Sequence, residues 1–120
     1  MEEEIKKEKL KRTLSNGVDY YLVQKGFNPK YYGFGYVSEI ICYYLLNNQS
    51  VQVLSKTVYE ELAEKYNKSL SSINRCVRFA IFSNKEKFNG MFNGKFSVKC
   101  CLQYLVLDVK NYVGIKSLLA

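Results

Sequence analysis

The stretch NKSLSSINRCVRFAI, residues 67–81, carries side chains suited to reading the edges of base pairs. Arginine presents a planar fork that bridges O6 and N7 of guanine, and asparagine bridges N6 and N7 of adenine. Ser71, Ser72, Asn74 and Arg75 stand near the start of the stretch, with Lys68 before them and Arg78 after. On a helix advancing about 100° per residue, Ile73, Val77, Ala80 and Ile81 form one apolar stripe. Ser71, Arg75 and Arg78 fall opposite that stripe, with Phe82 at the far end and Ser72 and Asn74 at the flanks. No acidic residue occurs from 65 to 85. A helix used only for packing would share the apolar stripe, but its solvent face would normally mix acids with bases.

The elements needed to position this face are legible around it. In YEELAEKYNKSLSSINRCVR, Ala63 is small enough for two helices to cross closely, and Leu62 stands beside it. Ile73 and Cys76 follow at the spacing of the apolar anchors in the second helix of a helix-turn-helix. Asn67 stands where such a turn usually has glycine, and asparagine tolerates the left-handed conformation. The second helix of the motif, expected over 69–82 with Ser69 as N-cap, enters the major groove and reads bases with its N-terminal residues. Lys68 and Arg78 are placed to reach phosphates. Lys56, ahead of the first helix, completes the expected DNA-binding set of Lys56, Lys68, Ser71, Ser72, Asn74, Arg75 and Arg78.

The charge distribution supports a polyanionic partner. Of 120 residues, 18 are Lys or Arg and 11 are Asp or Glu, for a net charge of +7. Residues 1–64 carry a net −1 and residues 65–120 a net +8. Solubility alone does not require charge to be segregated in this way.

The remaining segments predict an all-α chain of about six helices. Residues 1–12 alternate acids and bases and read as a charged leader, helical or not, broken at Ser15-Asn16-Gly17. A short apolar helix is expected over Val18–Gln24, closed by Gly26 as its C-cap, and Asn28-Pro29 marks a turn. A buried helix is expected over about 34–47, carried by Tyr36, Val37, Ile40, Ile41, Tyr44 and Leu45. The next runs over Thr57–Tyr66, capped by Ser55 or Thr57, with Glu60 and Glu61 in its first turn. In it Val58, Leu62, Ala63 and Tyr66 face inward. The polar SNKEKFNGMFNGKF reads as a loop holding at most one helical turn. Ser97 caps a last helix over about 98–112, whose apolar Leu102, Leu105, Val106, Leu107 and Val109 belong to the core or cover a partner. The expected division is a leader over 1–16, a DNA-binding domain over 17–113 and a tail over 114–120.

Three pieces of this chain together resemble a known family. GFNPKYYGFGYVSEII, SKTVYEELAEKYNKSLSSINRCVRFAI and KFSVKCCLQYLVLDVK are similar to the C-terminal DNA-binding effector domain of the stage-zero sporulation response regulator of endospore-forming bacteria. The most specific parts are Gly33, Tyr36 and Ile41; the run from Tyr59 to Asn67; and Arg75, Arg78, Ala80 and Ile81. The resemblance spans roughly 18–110. It implies a six-helix domain whose fourth helix reads double-stranded DNA, with tandem binding, hence a homodimer, on short boxes near promoters, where RNA polymerase is a further partner. The family's arginine and glutamate in the recognition helix are here Ser72 and Asn74, and its Pro-Thr-Asn before the last helix is Phe96-Ser97-Val98. Glutamate accepts from cytosine, whereas asparagine meets adenine, so the base preference beside Arg75 is expected to change. The leader is too short for a receiver domain and offers no aspartate cluster for phosphate, so binding is expected to need no phosphorylation.

Other classes fit less well. There is no histidine, and no Ser or Cys has a partner base in view, so an enzyme is not expected. GMFNGKF has three residues between its glycines and Phe96 where a phosphate loop needs Ser or Thr. Cys42, Cys76, Cys100 and Cys101 lack CxxC spacing, so neither a metal nor another cofactor is expected. No run of about 18 apolar residues could span a membrane, and no signal peptide opens the chain, which suits a cytoplasmic protein. The composition, rich in Asn, Lys, Tyr and Ile, fits an AT-rich bacterial genome. The competing functions are an interaction module that pairs with or antagonises a related regulator, and a plasmid or phage DNA-organising protein.

Overall fold

A computed structural model describes residues 1–47, 56–88, 96–112 and 115. These form α1 (Glu2–Gln24), α2 (Tyr32–Leu46), α3 (Lys56–Tyr66), α4 (Leu70–Phe82), a 3₁₀ turn (Lys85–Phe88) and α5 (Val98–Lys110). Among the described residues there is no strand, and the count of helical segments agrees with the about six expected.

The break expected at Ser15-Asn16-Gly17 does not occur: α1 runs unbroken through it. Leu14, Val18, Tyr21 and Leu22 share one buried face, and that burial carries the helix across the weaker formers. A single helical glycine costs only about 1 kcal/mol, and here it makes room: a Cβ at Gly17 would stand 2.6 Å from Cδ1 of the buried Ile115. Glu2, Glu3 and Glu4 occupy the first turn, where the helix dipole favours acids. Residues 1–13 are exposed, so α1 becomes a core element only from Leu14.

Gly26 ends α1 as expected. Its φ of 93° lets the Phe27 amide return to the Leu22 carbonyl at 3.0 Å and the Gly26 amide to Val23 at 2.9 Å. Phe27 and Leu22 are both buried, which closes the motif with an apolar contact. The turn that follows is held by the Asn28 side chain, which accepts from the Lys30 amide at 2.9 Å.

Helix α2 is the centre of the fold, and every other α-helix packs against it. Its Tyr36, Val37, Ile40, Ile41, Tyr44 and Leu45 are all buried, as their spacing predicted. Helix α5 packs on α2 and α4 and completes the core. Cys101, Leu102, Leu105, Val106 and Val109 are buried, so its wide stripe belongs to the core; Leu107 alone of the stripe is exposed, at 59%. The Tyr21 hydroxyl donates to an Asp108 carboxylate oxygen at 2.6 Å and Lys25 pairs with the same oxygen at 3.1 Å, tying α1 to α5.

Three further details differ from expectation. Helix α3 begins at Lys56, one residue early, so Glu60 and Glu61 lie past its first turn and Thr57 lies inside it; Ser55 falls outside the described residues. Tyr66, expected inward, is 39% exposed, and its ring meets Tyr36 with centroids 5.1 Å apart and Lys65 Nζ at 5.4 Å. Phe82, expected on the outward face, is half-buried under Phe96.

Candidate nucleic-acid interface

The turn between α3 and α4 has the conformation that Asn67 suggested. Asn67 takes φ 52°, the left-handed region. The Lys68 amide then reaches the Ala63 carbonyl at 2.9 Å and the Asn67 amide reaches Glu64 at 3.3 Å, satisfying the last carbonyls of α3. Two residues later the Ser69 hydroxyl accepts from the Ser72 amide at 3.1 Å and caps α4. These local bonds set the angle at which α4 leaves the turn.

The buried side of α4 fixes its rotation. Ile73, Val77 and Ile81 are fully buried and Ala80 nearly so. Each large aliphatic contributes about 1.5–3 kcal/mol by burial, which outweighs any preference of the polar face. On the far side Ser71, Asn74, Arg75 and Arg78 are exposed, while Ser72 is half-buried. Among the described residues, Asn74 and Arg75 have no side-chain hydrogen bond or ion pair. The Arg78 guanidinium lies over the Phe82 ring, 5.1 Å from its centroid. No acid stands in the first turn of α3, α4 or α5.

The outward face is flanked by two hollows. On one side Lys56, Tyr59, Ser71, Asn74, Arg78 and Lys99 line an open groove of about 520 Å³ where the starts of α3, α4 and α5 converge. Four of the seven expected residues, Lys56, Ser71, Asn74 and Arg78, therefore meet there. Three cations and no acid line this groove. The Tyr59 hydroxyl is buried and has no hydrogen-bond partner among the described residues, and burial pushes its pKa up to about 12. On the other side Arg75 borders a hollow of about 300 Å³ with Lys30, Tyr31, Tyr32 and Phe79. Lys68 is exposed in the turn and lines neither hollow.

Lys99 and Phe79 were absent from the expected set. Lys99 enters through the approach of α5 to α4, which no local pattern announces. Phe79 had a signal: it is a large apolar residue off the inward stripe of a helix whose stripe is otherwise complete.

All four cysteines are free thiols, and burial pushes Cys42 and Cys101 up to about 12. Among the described residues no group of three or more His, Cys, Asp or Glu could hold a metal, and no helix is long and apolar enough to cross a membrane.

Comparison with known proteins finds no match among curated proteins and none among solved structures. One protein family does match, described as the sporulation initiation factor Spo0A C terminal, over residues 18–98 of the 120. The match begins in the second half of α1, takes in α2, the helix-turn-helix and the Arg75 face, and stops at the first residue of α5. The chain belongs to the Spo0A C-terminal family, a family of DNA-binding effector domains.

Proposed function

We propose that this protein is a transcriptional regulator that binds double-stranded DNA with sequence preference, placing α4 in the major groove. The observation that carries this reading is the outward face of α4: Ser71, Asn74, Arg75 and Arg78 exposed on one side of a helix whose opposite side is locked in the core. Arg75, without an intramolecular partner among the described residues, bridges guanine, and Asn74 favours adenine at the adjacent pair. Ser71 and Ser72 stand at the groove entry. Lys56, Lys68, Arg78 and Lys99 neutralise phosphates and set the register. On tandem sites two copies sit side by side, and near a promoter the bound protein meets RNA polymerase.

The burial of α5 favours this reading over a module that acts only by pairing with a related regulator, since that module needs a free apolar face. A fluorescence-anisotropy titration of a duplex against salt tests it. Log affinity should fall with log salt by about 0.9 per phosphate neutralised, a steep line for several contacts. Arg78→Ala should lower that slope by about one on specific and non-specific DNA alike. A flat line for the unaltered protein contradicts the proposal.

A further inference from the structure

The hollow on the α2 side of α4 has a chemistry of its own. Tyr32 is 81% exposed and Phe79 57%, and neither ring contributes to the core. Tyr31 meets Phe79 edge-on, with centroids 5.0 Å apart and planes at 69°, so the two rings hold one another as a wall. Lys30 and Arg75 supply two cations at the rim, and no acid lines the hollow. Exposed aromatics grouped this way mark a surface that meets a partner. The charge requires an anionic partner, and the rings require one that also offers an apolar face.

The position of the hollow selects among such partners. It shares Arg75 with the outward face of α4, so whatever fills it must coexist with a duplex docked there. An α-helix with its side chains is about 10–12 Å across, and the major groove is about 12 Å wide. A helix seated in that groove therefore has one sugar-phosphate strand against each flank. One strand falls to the Lys56, Arg78 and Lys99 side. We infer that the hollow formed by Lys30, Tyr31, Tyr32 and Phe79 receives the sugar-phosphate backbone of the other strand, with Lys30 on a phosphate and Tyr32 and Phe79 against deoxyribose. This rests on the proposed docking of α4 and adds the start of α2 to the DNA-binding surface as a second anchor.

The test compares the full chain with Lys30→Ala, Tyr32→Ala and Phe79→Ala on one duplex, by anisotropy at several salt concentrations and by phosphate-ethylation interference. Lys30 and Tyr32 are exposed, so thermal melts of their variants should match the parent; Phe79→Ala loses its contact with Tyr31, so its binding is read at a temperature where the melt shows it folded. Lys30→Ala should lower the salt slope by about one and abolish interference at one phosphate on one strand. Tyr32→Ala and Phe79→Ala should each weaken binding about three- to tenfold, as for burial of part of one ring, and leave the slope unchanged. If the three variants bind with the parent's affinity, slope and interference pattern while Arg78→Ala still weakens binding, the inference is wrong and the docking of α4 stands; the hollow then faces another partner, such as an acidic peptide. If the parent binds no duplex, the docking falls and the inference with it.

Discussion

Gly33 of α2 lies directly on the backbone of α4 at Cys76: a Cβ at Gly33 would stand 2.1 Å from the Cys76 carbonyl oxygen and 2.8 Å from the Ala80 Cβ. The two helices approach so closely because neither has a side chain of any size at the crossing. Gly33 is therefore what seats the DNA-facing helix on the central one. Gly33→Ala should destabilise the fold by about 1–3 kcal/mol through overpacking, read as a lowered urea midpoint. Ala80→Gly in the same chain should not restore it, because the carbonyl clash remains. A Gly33→Ala chain as stable as the parent would show that α4 can shift freely, contrary to this packing.

The turn before α4 makes its own prediction. Asn67 is held at φ 52°, where a side chain with a Cβ is disfavoured by about 1–2 kcal/mol and glycine is not. Asn67→Gly should leave stability within about 0.5 kcal/mol of the parent, whereas Asn67→Val should lower it by about 1–2 kcal/mol. Equilibrium denaturation of both variants checks this, and equal losses in the two would place Asn67 outside the left-handed region.

Asp108 gives the fold a dependence on acid. Burial alone would raise its carboxyl, but the hydrogen bonds from Tyr21 and Lys25 and the charge of Lys25 outweigh it and hold the group below the usual aspartate range. The unfolded chain therefore takes up this proton first as pH falls. The stabilisation is fully present at neutral pH and fades as pH drops from about 4 through the lower folded value. The carboxylate is partly exposed, so its worth is modest, about 1 kcal/mol. Asp108→Asn should be less stable than the parent at pH 7, and the gap should close as pH falls below the usual aspartate range and the folded carboxyl takes up its proton. A constant gap across that range would mean that the Tyr21 and Lys25 bonds do not favour the charged form.

What the sequence disclosed and what it hid follow one physical division. The Ser69 and Ser97 caps, the Gly26 terminator, the left-handed Asn67 and the inward stripe of α4 are set by neighbours within a turn or two, and each stands where spacing placed it. The continuity of α1 was hidden because it depends on Leu14 being buried and on Ile115 filling the notch at Gly17, both tertiary facts. The flanks of the candidate interface were hidden for the same reason. Lys99 arrives with α5, and Tyr31 reaches Phe79 only because Gly33 lets α2 lie on α4. The outward residues of α4 could be read directly; the two walls beside them needed the fold.

The central claim is that the outward face of α4 reads sequence through Arg75, and selection from a randomised duplex library tests it most directly. The unaltered protein should recover a defined site containing one guanine that Arg75 specifies. Arg75→Ala should bind the best site about 1–3 kcal/mol more weakly and lose preference at that one base pair while keeping it elsewhere. Asn74→Glu should move the adjacent preference toward cytosine. If Arg75→Ala returns the same site with the same preference at every position, α4 is not the reader and the docking described here is wrong.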